Sequence, residues 1–243
     1  MNLTEPEMIF EELLVEIRGG RVLDIGCGSG QFIAILMQSL GSFDSITGVD
    51  VDDGVLEEAR NKFGSETFKF IKANSSSLPF EDASYDFVCI SKALHHVEDD
   101  RQSLGEMKRI LNQGGYFLIN EMIRDGLTTS QESHLLYHHL RSDIDKLIGI
   151  SHNKTYFRSD LLDLIYSIGL EDLVITDYQP AEPAPKDPAN VDEYIIRMTG
   201  WLDELAEHPE RENVKRRMAV LQEHLRENGI SRPTQVIALG RKK

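Results

Sequence analysis

Three glycines at alternate positions, Gly26, Gly28 and Gly30, follow an apolar run that carries one acid, Val22-Leu23-Asp24-Ile25. A strand that ends in such a turn and re-enters a helix aims backbone N–H groups at a ligand, and the missing Cβ atoms let that ligand come close. The spacing narrows the ligand. A dinucleotide fingerprint runs G-x-G-x-x-G; here the third glycine comes one residue early and Gln31 follows it, which disfavours a nicotinamide dehydrogenase. Asp24, ahead of the turn, suits a cationic or amine-bearing ligand and disfavours a pyrophosphate. A second acid, Asp50, closes the next apolar run 20 residues after Gly30. A carboxylate there can accept hydrogen bonds from both hydroxyls of a ribose.

Histidine supplies the candidate bases and metal ligands. His95 and His96 follow the apolar run Tyr85–Ile90 and titrate in the range a general base needs; the plainer role for either is to order the loop. Glu121, at the end of a further run, is a weaker candidate. His134 and His138 are four apart and share one helix face, a spacing open to a metal pair. No Glu stands beside His134 in an H-E-x-x-H arrangement and no third ligand is apparent, so no metal is expected, and His134, His138 and His139 read as a solvated or pocket-lining face. Tyr137, Tyr156 and Phe157 are candidate pocket aromatics, with core packing the simpler use of each.

The elements that must position these groups follow from periodicity. Met8–Ile17 has helical spacing and stops at Gly19-Gly20. Val22–Ile25, Ser45–Asp50, Phe68–Lys72, Tyr85–Ile90 and Tyr116–Glu121 read as strands, with helices after the first, second and fourth and a loop or short helix, Ala73–Phe80, after the third. Asp53 is a candidate cap for the helix Gly54–Phe63, Asp99 or Asp100 for the next, and Asn112–Gly115 reads as a turn. Such alternation predicts an α/β, Rossmann-like, doubly wound sheet of seven strands, mostly parallel, with ligands at the carboxyl ends of the strands. That rule gathers the glycine turn, Asp50, Asn74, Ser91 and Glu121 around one crevice. Further helices are expected over Thr129–Leu147, Ser159–Ile168, Asp192–Ala206 and Glu212–Asn228, with strands at Glu171–Tyr178 and Thr234–Gly240. Gln179–Pro188 holds four of the eight prolines and reads as a linker. The chain is therefore expected to be one domain over 1–243, with a core of 20–125, 159–179 and 233–243 and helical insertions at 126–158 and 180–232, forming either a lid or a dimer surface.

Val22–Gly30, Gly48-Val49-Asp50, Leu78-Pro79-Phe80, Tyr85–Val88, Leu94–Val97 and Gly114-Gly115 together resemble the class I S-adenosylmethionine-dependent methyltransferases, and most of all their small-molecule branch that includes the ubiquinone and menaquinone methyltransferases. The resemblance covers roughly Arg21 to Glu121. It implies an antiparallel last strand and S-adenosylmethionine as cofactor, with S-adenosylhomocysteine as product. It places Gly26, Cys27, Gly28 and Gly30 along the amino-acid part of the cofactor, Asp24 beside its ammonium, Asp50 on the ribose, Val51 against the adenine, and Ser91 near the ammonium through a backbone carbonyl. Asn74 stands where the family usually has aspartate, its amide oxygen able to accept from the adenine amino group, and Ser75 can offer a backbone N–H. His95 and His96 fall near the transferred methyl. The implied reaction is an in-line displacement onto a small-molecule acceptor. The alternatives are methylation of a protein or other large partner, docked on the proline-rich linker and its helices, and a non-catalytic S-adenosylmethionine-binding protein.

Bulk properties bound the partners. With 26 Lys plus Arg against 41 Asp plus Glu, the formal charge is -15, which repels polyanions and argues against nucleic acid. Two cysteines exclude a disulfide framework and fit a reducing compartment. Met1–Glu16 carries five glutamates and no basic residue, unlike a signal peptide, and no apolar run reaches the roughly 20 residues of a membrane span. A cytoplasmic monomer or homodimer without membrane insertion is expected.

Overall fold

The computed structural model describes residues 5–243, with side chains from Met8 onward. The absent basic leader is a reading that falls partly on residues 1–4, which lie outside the described residues. Seven strands form one sheet: β1 (Arg21–Ile25), β2 (Ser45–Asp50), β3 (Phe68–Lys72), β4 (Tyr85–Ser91), β5 (Leu111–Met122), β6 (Glu171–Tyr178) and β7 (Gln235–Arg241). Their spatial order is β3-β2-β1-β4-β5-β7-β6. Neighbours from β3 to β5 are parallel, and β7 runs antiparallel to both β5 and β6. This is the doubly wound, Rossmann-like arrangement. Strand order reverses between β1 and β4, which opens a crevice at their carboxyl ends.

Helices cover both faces: α1 (Glu5–Leu14), α2 (Gln31–Ser39), α3 (Asp53–Lys62), α4 (Asp100–Ile110), α5 (Thr129–Leu147), α6 (Arg158–Ile168), α7 (Pro188–Thr199) and α8 (Arg211–Asn228). Side chains alternate across a strand, and the two cores follow that alternation. Leu23, Ile25, Val88 and Ile90 point to one face, against Leu104 and Met107 of α4 and Leu161 and Ile165 of α6. Val22, Phe87 and Cys89 point to the other, against Phe10 and Leu14 of α1, Ile33 and Leu36 of α2 and Leu56 of α3. Strands buried on both faces read as continuous apolar runs, which is why these elements are visible in the sequence.

The helices from the two segments read as insertions join one another. Leu140 and Ile144 of α5, Val191 and Met198 of α7, and Val214, Met218, Leu221 and Leu225 of α8 make a third core around Trp201. Thr128 starts α5 with a capping box, its side chain accepting from the Gln131 N–H while Gln131 returns the bond. Trp201 lies just beyond α7, in a 3₁₀ turn over Gly200–Leu202.

Two local readings change. Asn112–Gly115 belongs to β5, whose pairing with β4 slips between Leu111 and Tyr116. The end of β7 satisfies the backbone groups freed by the slip: the Gly114 N–H donates to the Lys242 carbonyl at 2.7 Å, and Arg241 Nε donates to the Gly114 carbonyl at 3.0 Å. The cap of α3 is Asp52, whose Oδ1 accepts from the Gly54 N–H at 2.7 Å. Asp53 sits inside the first turn and pairs with Lys72 at the surface. Asp52→Ala should therefore cost about 1 kcal/mol in chemical denaturation. Asp53→Ala, which breaks only an exposed pair, should cost about 0.5 kcal/mol or less.

Candidate functional site

Two chambers open at the carboxyl edge of the sheet and share Gly26, Gly28 and Lys92. The first, about 600 Å³, runs along the ends of β1 and β2 and is walled by Asp50, Val51, Asn74, Ser75, His96 and Gly149–Ser151, among others. Asp50 is fixed from both sides. Its Oδ2 accepts the Gly28 N–H at 2.9 Å and its Oδ1 accepts the Asp52 N–H at 3.1 Å. Val51 and Ile150, 61% and 50% exposed, are large apolar side chains left open to this chamber. Asn74 also lines it, but its Oδ1 already accepts from both the N–H and the hydroxyl of Ser76, at 2.9 and 2.8 Å. That leaves the amide nitrogen, a donor, as the group it can offer, in place of the acceptor expected from the sequence. Ser75 is buried with its hydroxyl on Ser103, at 2.8 Å.

The second chamber, about 470 Å³, is bounded by Cys27, Ser91, Lys92, Asn120, Arg232 and Gln235, among others. Ser91 accepts from Asn120 Nδ2 at 3.0 Å, while Asn120 Oδ1 is buried with no donor. Lys92 has φ +52°, an uncommon conformation for a residue with a side chain. Its N–H donates to the Asn120 carbonyl at 2.7 Å, and burial, reinforced by Arg232, lowers its pKa below the ordinary lysine value.

The glycines divide their duties. A Cβ at Gly28 would meet nothing within 4 Å, so it would project into open space. A Cβ at Gly26 would strike Ala93, and one at Gly30 would strike the Phe63 ring. Gly30 borders neither chamber; it lets α2 start close against α3. Asp24 borders neither chamber as well. Strand alternation turns its side chain to the face of Cys89, whose thiol lies 3.5 Å from Oδ1, and it is 1% exposed with Oδ2 unpartnered. Burial pushes its carboxyl up to about 7, assisted by the Asp50 charge and opposed by the Cys89 contact.

His95 is not open to either chamber. Its Nδ1 lies 2.9 Å from Glu121 Oε1, and the fully buried Glu121 carboxylate also accepts the His95 and Met122 N–H groups at 3.3 and 2.8 Å. The weaker candidate Glu121 is thus committed to the core. His96 does line the first chamber. His138 joins them, its Nε2 at 3.1 Å from His95 Nε2, and so does His152, at 3.3 Å from His138. The pair singled out by spacing is divided: His138 is in this cluster, whereas His134 is held to about 4 by burial and by nearby Arg232 and Lys92. His139 reaches the Thr155 hydroxyl at 3.3 Å. Among the aromatics, Tyr137 packs on Trp201 and Tyr194, and Tyr156 donates to Asp100 at 3.2 Å. Phe157 lies under the Arg124 guanidinium.

Lys92, Arg232, His152 and Asp145 were not singled out by the sequence. Lys92 carried the one available signal, a cation directly after a buried strand. The others come from the helical segments, where no periodicity says which residue meets the sheet.

The fold and crevice define a Rossmann-like, doubly wound α/β protein with a ligand crevice at the carboxyl edge of its sheet. Residues 23–119 match the family described as methyltransferase domain. Over 121 residues the chain is 34% identical to a demethylmenaquinone methyltransferase of Staphylococcus aureus, a match covering 49% of this chain and 50% of that one. The chain spans about half the length of the curated relatives it matches. Among solved structures it is similar to the YcgJ protein of Bacillus subtilis, with TM-score 0.61, 21% identity and 98% and 97% of the two chains covered. It also resembles the [4+2]-cyclase SpnF (TM-score 0.63, 18% identity, 98% and 79% covered). A third neighbour is phosphoethanolamine N-methyltransferase 2 of Haemonchus contortus with S-adenosylhomocysteine bound (TM-score 0.60, 17% identity, 98% and 52% covered). At these identities the structural likeness is one of fold.

Asp24 generates a test. A carboxyl whose pKa is raised by folding binds its proton more tightly in the native state, so stability falls as pH rises from about 4 to about 7. A rise from 3.8 to about 7 corresponds to roughly 4 kcal/mol. Asp24→Asn should be increasingly more stable than the parent between pH 5 and 8 in denaturant titrations. A difference independent of pH would show that Asp24 ionises as an ordinary carboxylate.

Proposed function

We propose that this chain transfers a methyl group from S-adenosylmethionine to a small organic acceptor, the two meeting where the chambers join. One observation carries the reading: an unfilled glycine stands beside an anchored acid. Gly28 presents open space, and its N–H is already bound by Asp50, which keeps lone pairs for two ribose hydroxyls. The residues fit the rest of the cofactor. A planar base between Val51 and Ile150 would cover two exposed apolar side chains. Asn74 Nδ2 can donate to a ring nitrogen, and Ser75 closes the wall behind it. At the other end Asn120 Oδ1 lacks a donor, which an ammonium supplies, within a wall formed by Gly26, Cys27, Gly28 and Ser91. Gly30 and Asp24 act from beneath, through the position of α2 and of the turn.

When bound, S-adenosylmethionine supplies a methyl group on a cationic sulfur. The protein's share is to hold donor and acceptor in line and keep water out. Gly149–Ser151, after α5, and Pro180 and Arg232, at the ends of the second helical segment, border the chambers and serve as their cover. His95 is engaged by Glu121 and His138, and His96 packs at a tilt against His152, ring centroids 4.0 Å apart, so neither stands as a free base. The relatives named as demethylmenaquinone methyltransferases support a small, largely apolar acceptor.

Calorimetry with S-adenosylhomocysteine tests the site, and product formation across small quinols, phenols and amines tests the activity. Asp50→Ala should weaken S-adenosylhomocysteine by more than about 1 kcal/mol, the scale of a lost charge-assisted hydrogen bond. No binding to the parent chain at millimolar ligand would end the reading.

A further inference from the structure

Three chain segments bring four imidazoles together beside the first chamber. His95 and His96 come from the 3₁₀ turn after β4, His138 from α5 and His152 from the segment after α5. One nitrogen from each ring lies within 4.8 Å of all the others. His95 and His152 each place Nδ1 on a carboxylate, Glu121 at 2.9 Å and Asp145 at 2.6 Å. A carboxylate on Nδ1 fixes the proton there and turns the Nε2 lone pair inward. Both inward lone pairs face His138 Nε2, at 3.1 and 3.3 Å. With neutral rings, His138 has a single Nε2 proton for two acceptors, so one close N···N contact is left without a hydrogen. The carboxylates are themselves anchored, Glu121 by backbone N–H groups and Asp145 by Arg141.

A shared cation at its centre would satisfy the inward lone pairs together. Ligand nitrogens on a tetrahedron about 2.0–2.1 Å from a zinc ion stand about 3.3 Å apart, the spacing found between His138 and its two neighbours. Imidazole nitrogen suits zinc and the neighbouring first-row divalent ions, and a carboxylate behind the ligating ring is the usual support for such a site. The backbone is already set for it: the Asn153 N–H donates to the His95 carbonyl at 2.7 Å, and Ser142 Oγ donates to the His152 carbonyl at 2.6 Å.

We propose that His95, His96, His138 and His152 bind one divalent ion of the zinc class, with Glu121 and Asp145 as positioning residues. The ion fastens α5 and the Gly149–Ser151 wall to the end of β4, and His96 puts it at the edge of the first chamber. The proposal is independent of methyl transfer. Its test uses the full chain, free of any histidine tag, stripped with chelator and dialysed. Zinc titration by calorimetry should give one equivalent per chain, and zinc should raise the thermal midpoint. Cobalt should bind with the same stoichiometry and show the intense visible bands of a four-coordinate ion. His138→Ala should lose the stoichiometric binding of both metals, Glu121→Gln should weaken zinc about 10–100-fold, and His134→Ala, outside the cluster, should bind as the parent does. Circular dichroism checks each variant's fold, and the cobalt spectrum of the parent decides the matter should a variant not fold. Absence of stoichiometric zinc and cobalt binding by the folded parent, or full retention of both by folded His138→Ala, overturns the proposal.

Discussion

The Asp50 carboxylate is the joint on which the carboxyl edge of the sheet depends. One oxygen takes the Gly28 N–H and the other the Asp52 N–H, so a single side chain ties the turn after β1 to the start of α3. Asp52, held in place this way, then caps α3. The close approach also dictates Gly48, two residues earlier in β2, where a Cβ would come within 2.7 Å of the Cys27 sulfur and press on Phe70. Small residues in β2 and in the turn are thus one requirement seen twice: two backbones must come near enough for a carboxylate to bridge them. What remains of the carboxylate's bonding capacity faces the chamber.

That joint was legible because its parts are local. A strand, a glycine turn and an acid at the next strand's end each lie within one element, and parallel topology brings them together. Asp24 shows where such reasoning stops. Its place before the glycines suggested a group facing the ligand, but one step of strand alternation sends it to the opposite face, into the core beside Cys89. Asn74 lines the first chamber, yet Ser76 takes up its oxygen and inverts the bond it can make. The first outcome turns on which strand face Asp24 occupies and the second on an Asx-type turn with Ser76, and the glycine spacing specifies neither. The four-histidine cluster is the extreme case. His134 and His138 share a helix face, but the partners of His138 come 43 and 14 positions away, and only the docking of α5 against the β4 turn makes them neighbours.

The helical layer has its own apolar core around Trp201 and reaches the turn after β4 through polar groups, the histidines. The Ser130 and Ser231 hydroxyls lie 2.7 Å apart across α5 and the approach to β7, and within the layer Asn190 Nδ2 donates to the Ile230 carbonyl at 3.2 Å. Directional bonds of this kind fix position more than they add stability. A cover built this way keeps one register over the crevice without merging its core with that of the sheet, which suits a wall that must meet a ligand at a defined distance.

Lys92 is where that distance is set at a cost. Three described non-glycine residues have positive φ; Ala83 and Asp172 are exposed, whereas Lys92 is half-buried between the chambers. Left-handed backbone costs such a residue on the order of 1 kcal/mol, and burial of its ammonium adds a desolvation term. Glycine would remove both penalties. The backbone geometry is secured by the Lys92 N–H on the Asn120 carbonyl, a contact any residue could make, so the fold alone does not call for a lysine. The cation belongs to the chambers. In a chain of formal charge -15, Arg232 at the second chamber pairs with Glu182, whereas Lys92 forms no ion pair with a carboxylate among the described residues and brings its charge to the wall the chambers share.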